Sequence, residues 1–279
     1  MDADLRKPTL TTIPAMKPLR AFFVMLVLCA GVRASESVVL LQPGETLTYR
    51  VGWGLLGHAG DMKITSATET LDEVFHTRVN TTTATRGLVR ALYSFDGDAS
   101  MLFDASDGNL LSATARTRSS KNRTHASITF DHDKREADYI DHLKPARSST
   151  LIVPEGRPMD LMTALIQTRV WSLKAGDSRD VLVLFDDDFY SLKITAEREE
   201  TISTPNGPRK ALLLAPRMIG KPKGMFRRGG EVRVWVSADA DRLPLRFEVK
   251  LKVGTAFAVL TSYQPPDKPG PTADAPKQP

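Results

Sequence analysis

The chain has 279 residues, 41% of them hydrophobic and 25% charged, which supplies a sizeable core and excludes a wholly disordered polymer. The formal charge is +5, but residues 1–34 carry five Lys/Arg against two Asp/Glu, leaving thirty-three against thirty-one in the remainder. A surplus of two makes no basic footprint, so no nucleic-acid partner is expected.

From Ala21 to Val32 the sequence runs AFFVMLVLCAGV, preceded by Lys17 and Arg20 and followed by Arg33-Ala34. A charged region, an apolar core too short to span a bilayer and small residues after it make a secretory signal peptide over residues 1–34, with cleavage expected after Ala34. The fifteen residues before Met16 are superfluous to an export signal, so Met16 is expected as its start, with Met1 as the alternative. The expected location is periplasmic or extracellular. Cys29 is the sole cysteine and lies inside that segment, so the exported chain is expected to have no disulfide, thiolate metal site or cysteine nucleophile. A lipoprotein signal would place Cys29 first in the mature chain, but Leu28 is bulky where such a signal wants a small residue. No later segment approaches eighteen consecutive apolar residues, and none is expected to cross a membrane after signal removal.

Residues 35–263 read as a single β-rich domain. In TLTYRVGWG, Leu47, Tyr49, Val51 and Trp53 alternate with smaller or polar residues, the period-two signature of a strand with one buried face. The pattern returns at 75–85, 128–140, 178–186, 191–199, 231–239, 245–253 and 256–263. Turn signals at 96–98, 107–109, 205–208, 228–230 and 239–241 separate these runs. About a dozen strands at this spacing predict an all-β, mainly antiparallel fold, either a large curved sheet or an open barrel or sandwich. GWGLLG at 52–57 spells the dinucleotide fingerprint, but HAGDMKITSATE follows it, with Met62 and Ile64 alternating as in a second strand. Pyrophosphate binding needs a helix N-terminus at that point, so the glycines are assigned to a hairpin, a bulge or a close backbone approach, and no cofactor is expected.

One amphipathic helix is predicted over LMTALIQTRVWSLK (161–174), capped by Asp160 and closed by Ala175-Gly176, packing one stripe on the sheet. Asp186-Asp187-Asp188 reads as a solvated turn, because it lacks the calcium-loop spacing. His125, His132 and His142 lack zinc-motif spacing, so no metal is expected. The segment 217–230 carries Arg217, Lys221, Lys223, Arg227 and Arg228 with no acid, together with Met225 and Phe226, and reads as a loop with some aptitude for anionic lipid. No G-x-S-x-G, S-x-x-K or HExxH occurs, so no catalytic residue is nominated. Residues 264–279 hold six prolines and form a disordered tail.

LQPGETLTYRVGWGLLGHAG (41–60), DLMTALIQTRVWSLKAGD (160–177) and EVRVWVSADADRLPLRFEVKLKVGTAFAVL (231–260) together resemble the domain of unknown function 3108 family of exported bacterial proteins. That resemblance implies an envelope location and a β-rich fold and carries no activity. From the residues themselves, the first expectation is a binding or carrier module for a lipid-like hydrophobic molecule, with Tyr49, Val51, Trp53, Met62, Ile64, Trp171, Trp235 and Phe257 as lining. The alternative is an envelope structural or assembly protein that acts through protein–protein contacts.

Overall fold

In the computed structural model, the described residues are 41–266 except Leu55, 223–225, 227–229 and 252–253. The segment expected to be a signal peptide (residues 1–34) and nearly all of the proline-rich segment 264–279 lie outside them. The first eight strands are β1 (Thr46–Trp53), β2 (Leu56–Leu71), β3 (Val74–Thr85), β4 (Phe95–Asp104), β5 (Leu110–Ser119), β6 (Arg123–Asp131), β7 (Glu136–Asp141) and β8 (Ser149–Ile152). Then come β9 (Pro158–Asp160), β10 (Ser178–Phe185), β11 (Asp188–Thr204), β12 (Gly207–Met218), β13 (Glu231–Ser237), β14 (Pro244–Leu251) and β15 (Gly254–Gln264). Helix α1 (Gly87–Leu92) lies between β3 and β4, and α2 (Leu161–Gln167) between β9 and β10.

All fifteen strands join one sheet in the order β8-β7-β6-β5-β4-β3-β2-β1-β15-β14-β13-β12-β11-β10-β9. Every pairing is antiparallel except β9 with β10. The sheet therefore runs outward in both directions from the β1–β15 pair and ends on two unjoined edges, β8 and β9. It is a large open sheet, all-β as the alternation predicts.

Leu47, Tyr49, Ile64 and Val79 are essentially solvent-free. Strand pairing puts Leu47 opposite Ile64 and Tyr49 opposite Met62, and these cross-strand neighbours share the buried face of the first half of the sheet. The strands β10, β12 and β13 differ, because Val181 to Leu184, Ala211 to Ala215 and Val234 to Val236 are buried on successive residues. One set, including Leu182, Leu184, Leu213 and Trp235, joins the main core. The alternate set, including Val183, Leu214 and Val234, joins a second cluster with Ala164 and Leu165 of α2.

One local expectation is met and three are corrected. GWGLLG is a strand end and hairpin: Gly54 takes φ 55° in the turn, its N–H donates to Thr255 O at 2.8 Å, and His58 to Ser66 continue within β2. Residues 128–140 are two strands, since the chain reverses after Asp131 with Arg135 at φ 54°; Ile128 and Phe130 alternate inward on β6 and Ala137 and Tyr139 on β7, and the HDKR between them carries no glycine or proline to mark the turn. Asp96-Gly97-Asp98 lies within β4, where the glycine makes room for the Phe95 ring. The α2 helix stops at Gln167, well short of Lys174. Thr168 Oγ1 donates to Leu165 O at 2.6 Å, and Arg169 and Val170 N–H groups bond three residues back, a tightening that ends the helix.

Candidate apolar binding site

The site is built outward from Asp160, the last residue of β9 and the N-cap of α2. Its Oδ1 accepts from Met162 N at 2.7 Å and Thr163 N at 3.2 Å, and Thr163 Oγ1 donates to Oδ2. These bonds satisfy the free N–H groups of the first turn. Burial raises the Asp160 carboxyl above the usual carboxylate range, and the hydrogen bonds oppose that rise. Anchored there, the helix presents Ala164 and Leu165 to the second apolar cluster and Ile166 to the main core.

Beneath α2 the register lines up one face of five strands. Val183 pairs with Tyr190, Ile194 with Pro216, Leu214 with Val234, Val234 with Phe247 and Val232 with Val249. The helix spans this floor without filling it and leaves a cavity of about 140 Å³. Of the sixteen side chains around the cavity, only Thr168 and Tyr190 carry a polar atom, and the Thr168 hydroxyl is turned back onto Leu165 O. A space with such walls offers water too few partners and stays dry. Leu192, Leu214 and Val234 form a buried floor, whereas Phe185 at the rim is 37% exposed and Met162, Val232 and Val249 are half-buried. The cavity is thus reachable from solvent. Phe226, expected near a loop tip, is buried against the same cluster and lines the cavity.

Next to it the sheet opens. The β12–β13 ladder stops at Leu214 and Val234, while β12 stays paired with β11 to Met218 and β13 stays paired with β14 from Glu231. The gap holds a groove of about 280 Å³ that shares Pro216, Phe226 and Val232 with the apolar cavity and adds Glu197, Arg217, Glu231 and Arg233. Arg233 pairs with Glu231 at 3.2 Å and Arg217 with Glu197 at 3.8 Å. An apolar chamber with a charged doorway matches a molecule that has one apolar and one polar end.

None of the eight residues named from the sequence lines this cavity. Tyr49, Met62 and Ile64 are packed core. The Tyr49 hydroxyl donates to Pro244 O at 2.9 Å and its ring tilts against Phe247 at 5.2 Å; burial drives the phenol far above its usual range. Val51 packs at the edge of that core, and Trp53 ends the strand 38% exposed. Phe257 lies on the opposite face of β15, because Ala258 is the partner of Val51 and Phe257 that of Gly52, whereas Trp235 is buried with the main core. Arg246 stacks over both rings at 5.2 and 5.7 Å, and Trp235 Nε1 donates to Glu200 at 2.6 Å. Trp171, just past α2, is buried under Arg179. The missed lining did leave a signal: VLVL (181–184) and ALLLA (211–215) are continuous apolar runs, the mark of strands covered on both faces.

The histidines divide similarly. His125 and His142 stack at 4.2 Å, whereas His132 bonds to Leu110 O. Among the described residues no group of three His, Cys, Asp or Glu is placed to hold a metal ion.

Residues 48–261 match the family described as protein of unknown function (DUF3108). The chain belongs to that family. Among solved structures it is similar to the β-barrel-like protein of domain of unknown function DUF1849 from Brucella abortus, with a TM-score of 0.53, 8% identity, and coverage of 82% of this chain and 100% of that one. This likeness is one of fold. Two further similarities are to a protein from Bacteroides fragilis described as exported with a YmcC-like fold (TM-score 0.29, 12% identity, 82% and 99% coverage) and to a protein from Parabacteroides distasonis described as a lipoprotein (TM-score 0.31, 12% identity, 81% and 97% coverage). No curated protein matches the chain.

Proposed function

We propose that the protein binds a small lipid-like amphiphile in the cell envelope, with the apolar end of the ligand beneath α2 and its polar end in the β12–β13 gap. The observation that carries this reading is the cavity of about 140 Å³ with apolar walls and a partly exposed rim. A chamber of that size and lining takes up small apolar guests, and each methylene transferred into it from water contributes about 0.8 kcal/mol. The envelope location rests on the export-signal anatomy of residues 1–34.

The test is titration of the purified chain with a fluorescent fatty-acid probe, alongside solvent extraction and mass spectrometry of protein taken from its native compartment. Saturable binding that a Leu214→Trp substitution abolishes is expected. Absence of probe binding together with absence of extracted amphiphile would overturn the reading.

A further inference from the structure

A surface helix ordinarily turns its apolar stripe inward, but α1 does the reverse. No residue of α1 is buried, and Leu88 and Leu92, four residues apart on one face, are each 85% exposed. What ties the helix down is charge. Arg86, its N-cap, donates to Asp61 at 3.0 Å, and Arg90 grips Asp96 with two bonds of 2.8 and 3.1 Å. The arginines hold the helix against β2 and β4, and the leucines stand in water. Such an arrangement has a cost with no return among the described residues, so its return is sought outside the sheet.

We propose that this end of the sheet docks onto an anionic lipid bilayer. The turn of the β5–β6 hairpin is fixed beside α1 by Ser94 N to Ser120 Oγ at 2.9 Å and Ser120 N to Ser94 O at 3.0 Å. That hairpin carries Arg116, Arg118, Lys121 and Arg123, all exposed. With Arg86 and Arg90 the rim holds six cations against three carboxylates, Asp61, Asp96 and Asp98, and Asp61 and Asp96 are already engaged by Arg86 and Arg90. Arg118 shares Asp96 at 3.5 Å, which leaves Arg116, Lys121 and Arg123 exposed without an ion pair to a carboxylate among the described residues. Tyr93, the C-cap of α1, and Trp53, at the end of β1, are 43% and 38% exposed and are aromatics of the kind that settle at a membrane–water boundary. Two leucines on a small helix ringed by cations offer little contact area to a protein, which needs about 800 Å² per partner. They suit a bilayer, where leucines reach the acyl boundary and phosphates meet the cations.

The experiment compares the full chain with Leu88→Ser/Leu92→Ser and Arg116→Ser/Lys121→Ser/Arg123→Ser variants on phosphatidylglycerol–phosphatidylcholine and pure phosphatidylcholine vesicles. Residues 21–32 are themselves apolar, so docking is read at the rim, by hydrogen exchange of residues 86–94 and by quenching of the exposed Trp53 with brominated lipid. The expected result is protection and quenching on the anionic vesicles only. The leucine pair should weaken docking at least tenfold, and the cation loss about fivefold per charge removed, since each contributes about 1 kcal/mol near the surface. Docking that ignores both substitutions would overturn the proposal, as would sedimentation without protection or quenching at the rim. A wild-type dimer made monomeric by the leucine substitutions, with vesicle binding unchanged, would reassign the leucines to a second copy of the chain and equally overturn it. None of these readouts depends on the cavity under α2.

Discussion

Ala164→Leu separates a binding chamber from a packing defect. Ala164 projects from α2 into the cavity and is 6% exposed. Leucine is nearly alanine's equal as a helix former, so the change acts on space and leaves the helix intact. An unfilled 140 Å³ costs about 3 kcal/mol at roughly 24 cal/mol per Å³. Three added carbons at about 0.8 kcal/mol each recover up to about 2 kcal/mol of that, less any overpacking. For a domain of this size, about 2 kcal/mol raises the melting temperature by roughly 4–8 °C. The same carbons occupy the ligand's volume, so stability rises while affinity for a fatty-acid probe falls by an order of magnitude or more. Thermal unfolding followed by circular dichroism reads the first effect and probe titration the second. A variant that is stabilised yet binds the probe with wild-type affinity refutes the location of the site, and one that is destabilised by more than about 1 kcal/mol shows that the cavity is too narrow to be a chamber at all.

Three further outcomes follow from buried charge, capping and titration. Glu45 is 1% exposed and accepts from Arg169 at 2.9 Å, Tyr263 at 2.7 Å and Gln42 N at 2.6 Å; Arg169→Met strands its carboxylate and should cost about 3–5 kcal/mol in urea unfolding, whereas Glu45→Gln/Arg169→Met should cost less than half as much. Equal losses in the two would mean that the pair is not energetically coupled. Asp160→Ala removes the α2 cap and should cost about 1–2 kcal/mol, with faster amide exchange at residues 162–167; unchanged exchange there would show that tertiary packing alone holds the helix. The Trp235 indole N–H bonded to Glu200, and the Arg78 guanidinium bonded to Glu69, hold both carboxyls below the usual range. Both groups thus add stability above the ordinary glutamate pKa of about 4.3, and that stability is lost as pH falls through their lowered values. Acid titration of the unfolding midpoint should therefore be less steep in Trp235→Phe than in the wild type, and an identical acid limb would remove Glu200 from the linkage.

What the sequence reveals about this fold follows from where periodicity is unambiguous. Strands wet on one face, such as β1 and β2, write their burial into alternate residues, and the helix start is written in the Asp160 cap, so both are legible from the chain. The dinucleotide fingerprint is also decidable, because Met62 and Ile64 keep period two where a phosphate-binding helix would need 3.6. The site escapes this logic for a physical reason. Its floor comes from strands buried on both faces, where alternation vanishes, and aromatic content then draws the eye to Trp53, Trp171 and Trp235. Trp53 sits at a sheet end, while Trp171 under Arg179 and Trp235 beside Glu200 use their stacking or polar capacity on a protein neighbour. Valines and leucines, which have nothing to offer except absence of polarity, are left to enclose the space. The same reasoning explains α1. Its two leucines satisfy the helical spacing of a core stripe, and only the pairing of Arg86 with Asp61 on β2 and of Arg90 with Asp96 on β4 shows that the stripe points away from the protein. A local pattern specifies that a face is apolar; which side of the molecule that face meets is decided by long-range partners, and it is there that function has to be sought.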